Sequence, residues 1–519
     1  MDLMSARSRR KPPRWRIVPP FRPSGPQGWI ADLPPELAAL TDVNEEPYRC
    51  RLKLYEDGLL LGPAHAVHED IEKSGGGAYS FWGDFLYFST SDGSDPNQNG
   101  RTYTAGVLAI SGRGAGISGW LPPPRLLRCA VVGLGNRGTA LAQLAQGLPG
   151  VEIAWVIDER PERLEEVPML FGRGAKPTAR LSDALADPRL DIVFVTLPDN
   201  LHRDVAVAAF NAGKHVFLEK PVATTAADAS AIMAAWQRSG RVLQLGYVLR
   251  QAPFYAAIRK VVREGVLGPV RIAGLTEQLD VRHGGSFMRR WHHLSERSGG
   301  LMVHKGCHDL DIACWLLDAR PSSVASFGGQ GTFAQPAPAR FCSVCDRAGS
   351  CPYVDNALHE RRSAAEMNDP TAFGLDRCVF DPEKDIVDHQ VVSFELDNGT
   401  RGTFTLAMQG PIRSERRISL IGDAASLDGI FEDGRFVVTF VDRARPPLVW
   451  TADQSGQGGH GGGDSITMLE FLDACVGRAP PPISNPGEAM RGLCFALAAE
   501  KSRIAGTVVR LDQNCFLTP

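Results

Sequence analysis

The chain has 519 residues, of which 43% are apolar and 22% are charged, so it can bury substantial cores and should divide into roughly two to four domains. Its formal net charge of -3 offers no broad cationic field for nucleic acid, and no apolar run reaches the roughly 20 residues of a membrane helix. We therefore predict a globular protein that neither binds nucleic acid nor spans a membrane.

Residues 1–45 are rich in proline and arginine. Ser8-Arg9-Arg10 briefly resembles a twin-arginine export signal, but Pro12 and Pro13 interrupt the segment where such a signal needs an apolar run. Eleven cysteines in so long a chain are also too sparse for a secreted disulfide scaffold. These features predict a disordered tail on a cytoplasmic protein.

Residues 46–110 are rich in aromatic and turn-forming residues. Asp92-Gly93 and Asn99-Gly100 are hairpin turn signals that follow the aromatic run of residues 79–88. The acidic and amide side chains of this stretch could also hold calcium, but they lack the glycine and the terminal glutamate of a calcium loop. We predict a β-rich N-terminal module, followed by a glycine- and proline-rich linker at residues 111–125.

Residues 126–246 alternate short β-branched runs with amphipathic stretches. Strands are predicted near residues 127–133, 152–157, 191–196, 215–218 and 241–245. This alternation is typical of a Rossmann-type, doubly wound parallel sheet, so the predicted fold class is α/β. Beyond it, longer mixed helices and strands predict a second α/β domain at residues 247–519.

A glycine-rich turn lies between the first predicted strand and the first helix of this sheet. Its glycines permit a tight turn and a close approach of the backbone to a pyrophosphate, which the helix N-terminus attracts. The candidate cofactor-binding residues are Gly133, Gly135, Asn136, Arg137 and Gly138. An ordinary glycine turn can have the same sequence pattern, but the order of strand, turn and helix favours a dinucleotide site.

Asp158 ends the next apolar run, twenty residues after Gly138. A carboxylate at this place accepts hydrogen bonds from the adenosine ribose and repels a 2′-phosphate, which favours NAD over NADP. Arg160 or Arg163 could accommodate the phosphate, so NADP is not excluded. The alternative for Asp158 is an ordinary solvated residue at a strand end.

Two further segments stand at predicted strand ends: Gly213-Lys214-His215-Val216-Phe217-Leu218-Glu219-Lys220-Pro221 and Thr196-Leu197-Pro198-Asp199-Asn200-Leu201-His202. The first reproduces the Glu-Lys-Pro motif of the Gfo/Idh/MocA family (glucose-fructose oxidoreductase, inositol dehydrogenase and relatives), and the second resembles its nicotinamide-side loop. The resemblance covers about residues 126–510. It implies an NAD(P)-dependent oxidoreductase that acts on a secondary hydroxyl or ketone of a sugar, nucleotide-sugar or cyclitol, with a large mixed or antiparallel sheet in its second domain.

Lys220 closes an apolar strand at the carboxyl edge of the sheet, where open α/β folds bind ligands. A lysine beside a nicotinamide cation loses proton affinity and can donate to the substrate oxygen, which is the role that the resemblance implies. The resemblance also implies cofactor contacts by Thr196, Pro198, Asn200, His202, Glu219, Lys220 and Arg250, and substrate contacts by Lys220 and Arg250. The alternative for Lys220 is a surface lysine that lies along apolar neighbours.

Residues 299–317 predict a helix that presents His304, His308 and Asp311 on one face, at spacings of four and three residues. The family commonly has aspartate and histidine at the first two of these positions, so His304 here replaces an aspartate. This leaves open how the two histidines share proton transfer, which we assign to His308 with assistance from His304. A zinc pair would need a third ligand and a differently placed glutamate, and a hydrogen-bonded core histidine is the other alternative.

The loop His460-Gly461-Gly462-Gly463-Asp464 is similar to a glycine-rich substrate loop in sugar-acting branches of the family. Glycines allow close backbone approach, and His460 and Asp464 suit hydroxyl binding. The surrounding glycines also fit a flexible linker.

Four cysteines cluster in a polar insertion at about residues 335–380: Cys342, Cys345, Cys351 and Cys378. Four thiolates suit a structural zinc ion or an iron-sulfur cluster, and reduced thiols without a metal are the alternative.

Two other functions fit the same motifs. An NAD-dependent glycoside hydrolase would use the cofactor transiently, and a non-catalytic NAD-binding scaffold would leave the lysine and the histidines idle. The N-terminal module resembles segments of bacterial surface-polysaccharide biosynthesis proteins, which points towards a glycan precursor as substrate. We expect the protein to form a homo-oligomer.

Overall fold

The computed structural model describes residues 14–38, 40–41, 50, 52–57, 59–61, 66, 68–107, 123, 125–354, 376–410, 413–452, 459–478 and 486–512. The chain divides into two compact units, Met1–Ser111 with Gly116–Ile192, and Gly112–Ala115 with Val193–Pro519. Within the described part of the chain, no helix is both long and apolar enough to cross a membrane. The cytoplasmic location stays a prediction, and the linker predicted at residues 111–125 lies almost wholly outside the described residues.

The first unit begins with a β-rich module. Its strands are β1 (Arg14–Ile17), β2 (Arg22–Pro23), β3 (Trp29–Asp32), β4 (Leu52–Glu56), β5 (Leu59–Leu60), β6 (Tyr79–Trp82), β7 (Phe85–Phe88) and β8 (Tyr103–Val107), with helices at Pro35–Ala38 and His68–Ser74. They form two antiparallel sheets, in the orders β1-β8-β4-β5 and β2-β3-β7-β6. The rings of Phe21, Phe88 and Tyr103 pack together in the core. The predicted β-rich module is confirmed.

The disordered tail predicted for residues 1–45 is wrong for the described part of that stretch. Ile17, Phe21 and Leu37 are buried in the core of the module. Prolines argued for disorder, but Pro23 belongs to β2, which is the edge strand of its sheet. An edge strand tolerates the missing N–H of proline, which is why this composition misled the prediction. Residues 1–13 and 42–49 lie outside the described residues.

Six strands form a parallel sheet in the order β11-β10-β9-β12-β13-β14. Their bounds are β9 (Leu127–Val132), β10 (Val151–Ile157), β11 (Lys176–Thr178), β12 (Ile192–Val195), β13 (His215–Leu218) and β14 (Leu243–Leu245). The helices of this region are Asn136–Gln146, Pro161–Glu165, Val167–Phe171, Leu181–Leu185, His202–Asn211 and Ala226–Ser239. The predicted Rossmann-type sheet is confirmed. Strand β11 was missed because it is a short polar edge strand of lysine, proline and threonine.

A nine-stranded sheet dominates the second unit, in the order β22-β21-β20-β19-β15-β18-β17-β16-β23. The strands are β15 (Val270–Asp280), β16 (Pro321–Gly329), β17 (His389–Leu396), β18 (Arg401–Gly410), β19 (Glu415–Gly422), β20 (Ala425–Ile430), β21 (Arg435–Phe440), β22 (Leu448–Thr451) and β23 (Val509–Arg510). Since β15 pairs with β18 in parallel and with β19 antiparallel, the sheet is mixed, as expected.

Helices cover one face of the nine-stranded sheet. Cys307–Leu317 contacts β15, and Pro486–Ala505 contacts β16. The remaining helices of the unit are Pro253–Arg263, Val281–Phe287, Ser295–Ser298 and Gly463–Cys475, with a π-helical turn at Met302–Gly306. Burial alternates along β17, as expected for a sheet with one face in the core and one face open.

Candidate functional site

The glycine-rich turn of the first unit has the geometry of an anion site. β9 ends at Val132, Gly133 takes a φ of +92°, and the helix Asn136–Gln146 begins after Gly135. Among the described residues, no heavy atom lies within 4 Å of where a Cβ of Gly135 would stand. A helix N-terminus beside this open space fits the pyrophosphate of a dinucleotide. Asn136 is exposed, Arg137 is half-buried and Gly138 is buried against the sheet.

Asp158 lies beside this turn. Its carboxylate accepts hydrogen bonds from the backbone N–H of Leu134 at 2.8 Å and of Arg160 at 3.0 Å. The side chain therefore fixes the glycine turn. It also lies at the carboxyl end of β10, which is the position that the predicted ribose contact requires. The guanidinium of Arg160 lies 3.5 Å from the same carboxylate.

The segment that follows β12 in the second unit is held by His202. Nδ1 of this buried imidazole is 2.9 Å from the Pro221 carbonyl, and Nε2 is 3.0 Å from the Leu197 carbonyl. Both ring nitrogens thus face main-chain carbonyls and His202 lies between the two loops, while its cofactor contact stays a prediction. Of the other predicted residues here, Thr196 and Pro198 are half-buried and Asn200 is exposed.

Lys220 is positioned by two contacts at the end of β13. Its backbone N–H donates to the Glu219 carboxylate at 3.1 Å, and its Nζ donates to the main-chain carbonyl of His304 at 2.8 Å. Gly246 leaves room for the Glu219 carboxylate, because a Cβ there would lie 2.9 Å from it. The ammonium group is therefore fixed beside the segment that carries the two predicted catalytic histidines.

That segment is not the regular helix predicted from the sequence. Met302–Gly306 forms a π-helical turn before the α-helix Cys307–Leu317 begins. A π-turn adds a residue to the turn, so the spacing of four residues between His304 and His308 is no longer that of one continuous α-helix. The consecutive side chains of His304 and Lys305 diverge, and Lys305 binds the Glu277 carboxylate of β15 at 3.0 Å.

His304 is paired with a carboxylate that the sequence reasoning missed. Its Nδ1 lies 2.6 Å from Oδ2 of Asp199, and its ring packs against Trp291 and His292. Burial, followed by the charge of Lys220, lowers the pKa of the His304 imidazole well below its usual value, and burial raises the pKa of Asp199 to about 8. The signal for Asp199 was its place after Pro198, at the carboxyl end of β12.

His308 carries a buried polar atom without a hydrogen-bond partner among the described residues, its Nδ1. Its ring lies edge-on to Tyr247 at 6.3 Å, and the Tyr247 hydroxyl is likewise buried without such a partner. Burial, then Lys220, lowers the pKa of His308, so its ring is neutral near pH 7. Unpaired buried polar atoms cost stability unless a ligand completes them, so this pair points to a binding site.

The loop around His460 approaches the same imidazole. The ring of His460 lies 5.9 Å from that of His308, and its Nδ1 is 3.0 Å from the Asp464 carboxylate. A Cβ on Gly463 would come within 2.2 Å of the Val248 carbonyl, so glycine lets the loop pack directly on the turn Val248–Gln251. Residues 459–464 are thus packed against the protein, whereas 453–458 lie outside the described residues.

Arg250 is buried and paired with two carboxylates. Its side chain has 0% exposure, and its guanidinium binds the Asp311 carboxylate through two hydrogen bonds of 2.8 and 2.6 Å and Glu488 at 3.0 Å. The structure shows these ion pairs, and the contact of Arg250 with cofactor or substrate stays a prediction. The Asp311 carboxylate, predicted to converge with the two histidines, is the partner of Arg250.

The four clustered cysteines do not form a recognisable metal site. A β-bridge between Phe341 and Arg377 brings Cys342 near Cys378, and burial raises the pKa of Cys342 to about 11, while Arg289 lowers it. Cys345 and Cys351 are half-buried nearby. Among the residues that the structure describes, no three His, Cys, Asp or Glu side chains are arranged to hold a metal ion, so the predicted zinc or iron-sulfur cluster is unsupported.

Comparison with family models matches two parts of the chain. Residues 127–247 match "Oxidoreductase family, NAD-binding Rossmann fold", and residues 255–428 match "GFO/IDH/MocA C-terminal domain". A putative oxidoreductase, YteT of Bacillus subtilis (strain 168), is 28% identical over 63% of this chain and 83% of its own length. The NAD-dependent scyllo-inositol 2-dehydrogenase of the same organism is 30% identical over 39% of this chain, which spans 57% of that enzyme.

Solved structures share the fold. A levoglucosan dehydrogenase in complex with NADH and levoglucosan superposes with a TM-score of 0.59 and 18% identity, over 75% of this chain and 100% of that one. The WlbA dehydrogenase from Bordetella pertussis, in complex with NADH and UDP-GlcNAcA, gives a TM-score of 0.57 and 19% identity, over 75% and 99%. The family model begins at residue 127, after the N-terminal module.

Proposed function

Because this chain belongs to the Gfo/Idh/MocA oxidoreductase family, we propose that it transfers a hydride between a nicotinamide and a secondary hydroxyl or ketone of a sugar, nucleotide-sugar or cyclitol. The observation that carries the proposal is the arrangement around Lys220. Its ammonium group is fixed beside His304, while the neutral His308 and Tyr247 present polar atoms without partners among the described residues. A substrate with several hydroxyl groups would supply those partners.

The bound nicotinamide would supply the hydride acceptor or donor. The Lys220 ammonium would stabilise negative charge on the substrate oxygen as the carbon–hydrogen bond breaks, because a fixed donor costs no reorganisation at that moment. His308 and His304 would exchange the hydroxyl proton. His460 and Asp464 would bind neighbouring hydroxyl groups of the substrate, since the His460 ring lies beside that of His308 and Asp464 is paired with His460.

In the first unit, the glycine turn would bind the pyrophosphate and Asp158 the adenosine ribose. The carboxylate favours NAD over NADP, because it would repel a 2′-phosphate. A glycan precursor is the substrate class that we favour, supported by the nucleotide-sugar bound to the WlbA dehydrogenase and by the N-terminal module's resemblance to polysaccharide biosynthesis proteins.

The test is absorbance at the wavelength of NADH with panels of sugars, nucleotide-sugars and cyclitols, together with analysis of the products. Net reduction of NAD with formation of a ketone is the expected result. Release of a sugar without net reduction would instead indicate the glycoside hydrolase, and binding of NAD without turnover on any panel would indicate the scaffold.

We also propose a homo-oligomer, supported by the open face of the nine-stranded sheet. Phe327 and Val391 are cross-strand neighbours there, as are Ile272 and Ile421, and all four side chains are exposed. Apolar pairs on a flat sheet face are typical of a surface covered by another subunit. Light scattering of the purified protein should give a multiple of the chain mass of 56.2 kDa, and a monomer would refute this.

A further inference from the structure

Asp199 and His304 form a buried carboxylate–imidazole pair beside Lys220. We propose that this pair acts as one proton-exchanging unit, in which Asp199 fixes Nδ1 of His304 and Nε2 of His304 accepts the proton of the substrate hydroxyl. Asp199 would thus be a positioning residue, and His304 rather than His308 the base. The inference rests on the proposed hydride transfer and specifies which residues carry out its proton transfer.

The geometry of the pair fixes the imidazole. Oδ2 of Asp199 and Nδ1 of His304 are 2.6 Å apart, and the side chains are only 3% and 12% exposed. An ionised carboxylate accepts a hydrogen bond only, so Nδ1 must then carry the proton and the lone pair must be on Nε2. The tautomer that serves as a base at Nε2 is therefore set by Asp199.

His308 has no comparable partner. Its Nδ1 makes no hydrogen bond among the described residues, so nothing there selects the tautomer of its ring. The neighbouring groups that lower the pKa of His308 by their charge are Lys220, His460, Lys305 and Arg416. His304 lies near cationic groups as well, so the feature that distinguishes the two rings is the Asp199 carboxylate beside His304.

The surroundings of the pair set its proton affinity. Burial raises the pKa of Asp199 to about 8, while His202 and Lys220 lower it and Glu219 raises it. Around His304, burial lowers the pKa of the ring, and the other titratable groups that face it are Lys220, Lys305, His202, His283 and His292. Near neutral pH the pair accordingly holds one proton on Asp199, and it releases this proton in alkaline solution.

The proton balance follows. In oxidation, the carbon–hydrogen bond breaks and its electron pair leaves with the hydride to the nicotinamide, while the oxygen–hydrogen bond breaks and its proton passes to Nε2 of His304. A carbonyl group forms, and the pair gains one proton. Reduction of a ketone runs the same steps in reverse and takes the proton from Nε2. The deprotonated pair therefore serves oxidation, and the protonated pair serves reduction.

The kinetic test compares Asp199→Asn with Asp204→Asn, an exposed aspartate in the following helix, in the full-length protein. In single-turnover oxidation between about pH 6 and pH 10, the wild-type rate should rise through the titration of the pair. Asp199→Asn should lose on the order of 100-fold and keep only a rise that follows hydroxide concentration, with NAD affinity unchanged. Asp204→Asn should follow the wild type. A loss of less than about threefold for Asp199→Asn would overturn the proposal.

A second measurement needs no substrate. Proteins labelled with nitrogen-15 in histidine report the tautomer of each ring by NMR, and His304→Gln identifies the His304 signals. On raising the pH, His304 should change from protonated Nε2 to protonated Nδ1 in the wild type, and this change should be absent in Asp199→Asn. A ring that keeps one tautomer across the range refutes the pair. If the change occurs but no sugar, nucleotide-sugar or cyclitol reduces NAD, the proposed function fails and the catalytic role of the pair with it.

Discussion

The ammonium group of Lys220 donates a hydrogen bond of 2.8 Å to the main-chain carbonyl of His304 and not to its side chain. The end of β13 is thereby tied to the π-helical turn, whichever side chain occupies position 304. Substitutions of Lys220 and of His304 can accordingly be interpreted separately, because the loss of the imidazole leaves the anchor of the lysine in place.

Lys220→Ala should impair chemistry far more than binding. The ammonium group is placed where negative charge develops on the substrate oxygen, and removal of one such fixed donor typically costs about 100-fold in turnover, or about 2.7 kcal/mol of barrier. Single-turnover hydride transfer and NAD titration measure the two effects, with the exposed Lys501→Ala as control. Near wild-type turnover of Lys220→Ala would exclude this lysine from catalysis.

Tyr247→Phe should weaken substrate binding without destabilising the protein. The Tyr247 hydroxyl is buried with no hydrogen-bond partner among the described residues, so its removal breaks no such bond in the free protein. If a substrate hydroxyl is its partner, the variant should raise KM about fivefold, or about 1 kcal/mol, with a smaller change in kcat. Urea unfolding should be unchanged or slightly improved. Lower stability with an unaltered KM would contradict this assignment.

Asp158→Ala should shift cofactor preference towards NADP. Its carboxylate stands at the proposed ribose site and also accepts a hydrogen bond from Leu134, so the affinity for both cofactors should fall. The affinity for NADH should fall more, because the variant no longer repels the 2′-phosphate of NADPH. Titrations of both reduced cofactors by fluorescence give the ratio, and an unchanged ratio would remove Asp158 from the cofactor site.

Asp199 should make stability depend on pH. Burial raises its pKa from 3.8 to about 8, so between these values the folded protein retains a proton that the unfolded chain releases. The free energy of unfolding therefore falls as pH rises through this window, by at most about 1.4 kcal/mol per pH unit. Urea unfolding of Asp199→Asn between about pH 5 and pH 7 should show a flatter dependence than the wild type. Equal slopes would mean that the carboxylate is ionised throughout.

Much of the fold was predictable from local pattern. The five parallel strands expected from β-branched runs lie within two residues of their predicted ends, because each is a buried apolar segment between turn residues. Lys220 and the two histidines were found from motifs that stand at strand ends or on one helix. Patterns of this kind are short and local, so a single sequence contains them.

The rest of the site depends on contacts that no local pattern records. Asp199 and His304 are 105 residues apart in the chain, so only the folded protein brings them together. The pairing of Arg250 with Asp311 was likewise not predictable, because Asp311 is 61 residues further on. The π-helical turn was missed because its apolar and small residues also fit a regular α-helix.

That turn makes the spacing of the two histidines depend on chain length. An α-helix advances about 100° per residue, so loss of Lys305 or Gly306 would regularise the helix and rotate His304 and everything before it by that angle relative to His308. Such a deletion would spare the apolar contacts of Cys307–Leu317 and yet take His304 away from Asp199. A three-nucleotide deletion here would thus disrupt the alignment of the site, an effect that conservative point substitutions would not reproduce.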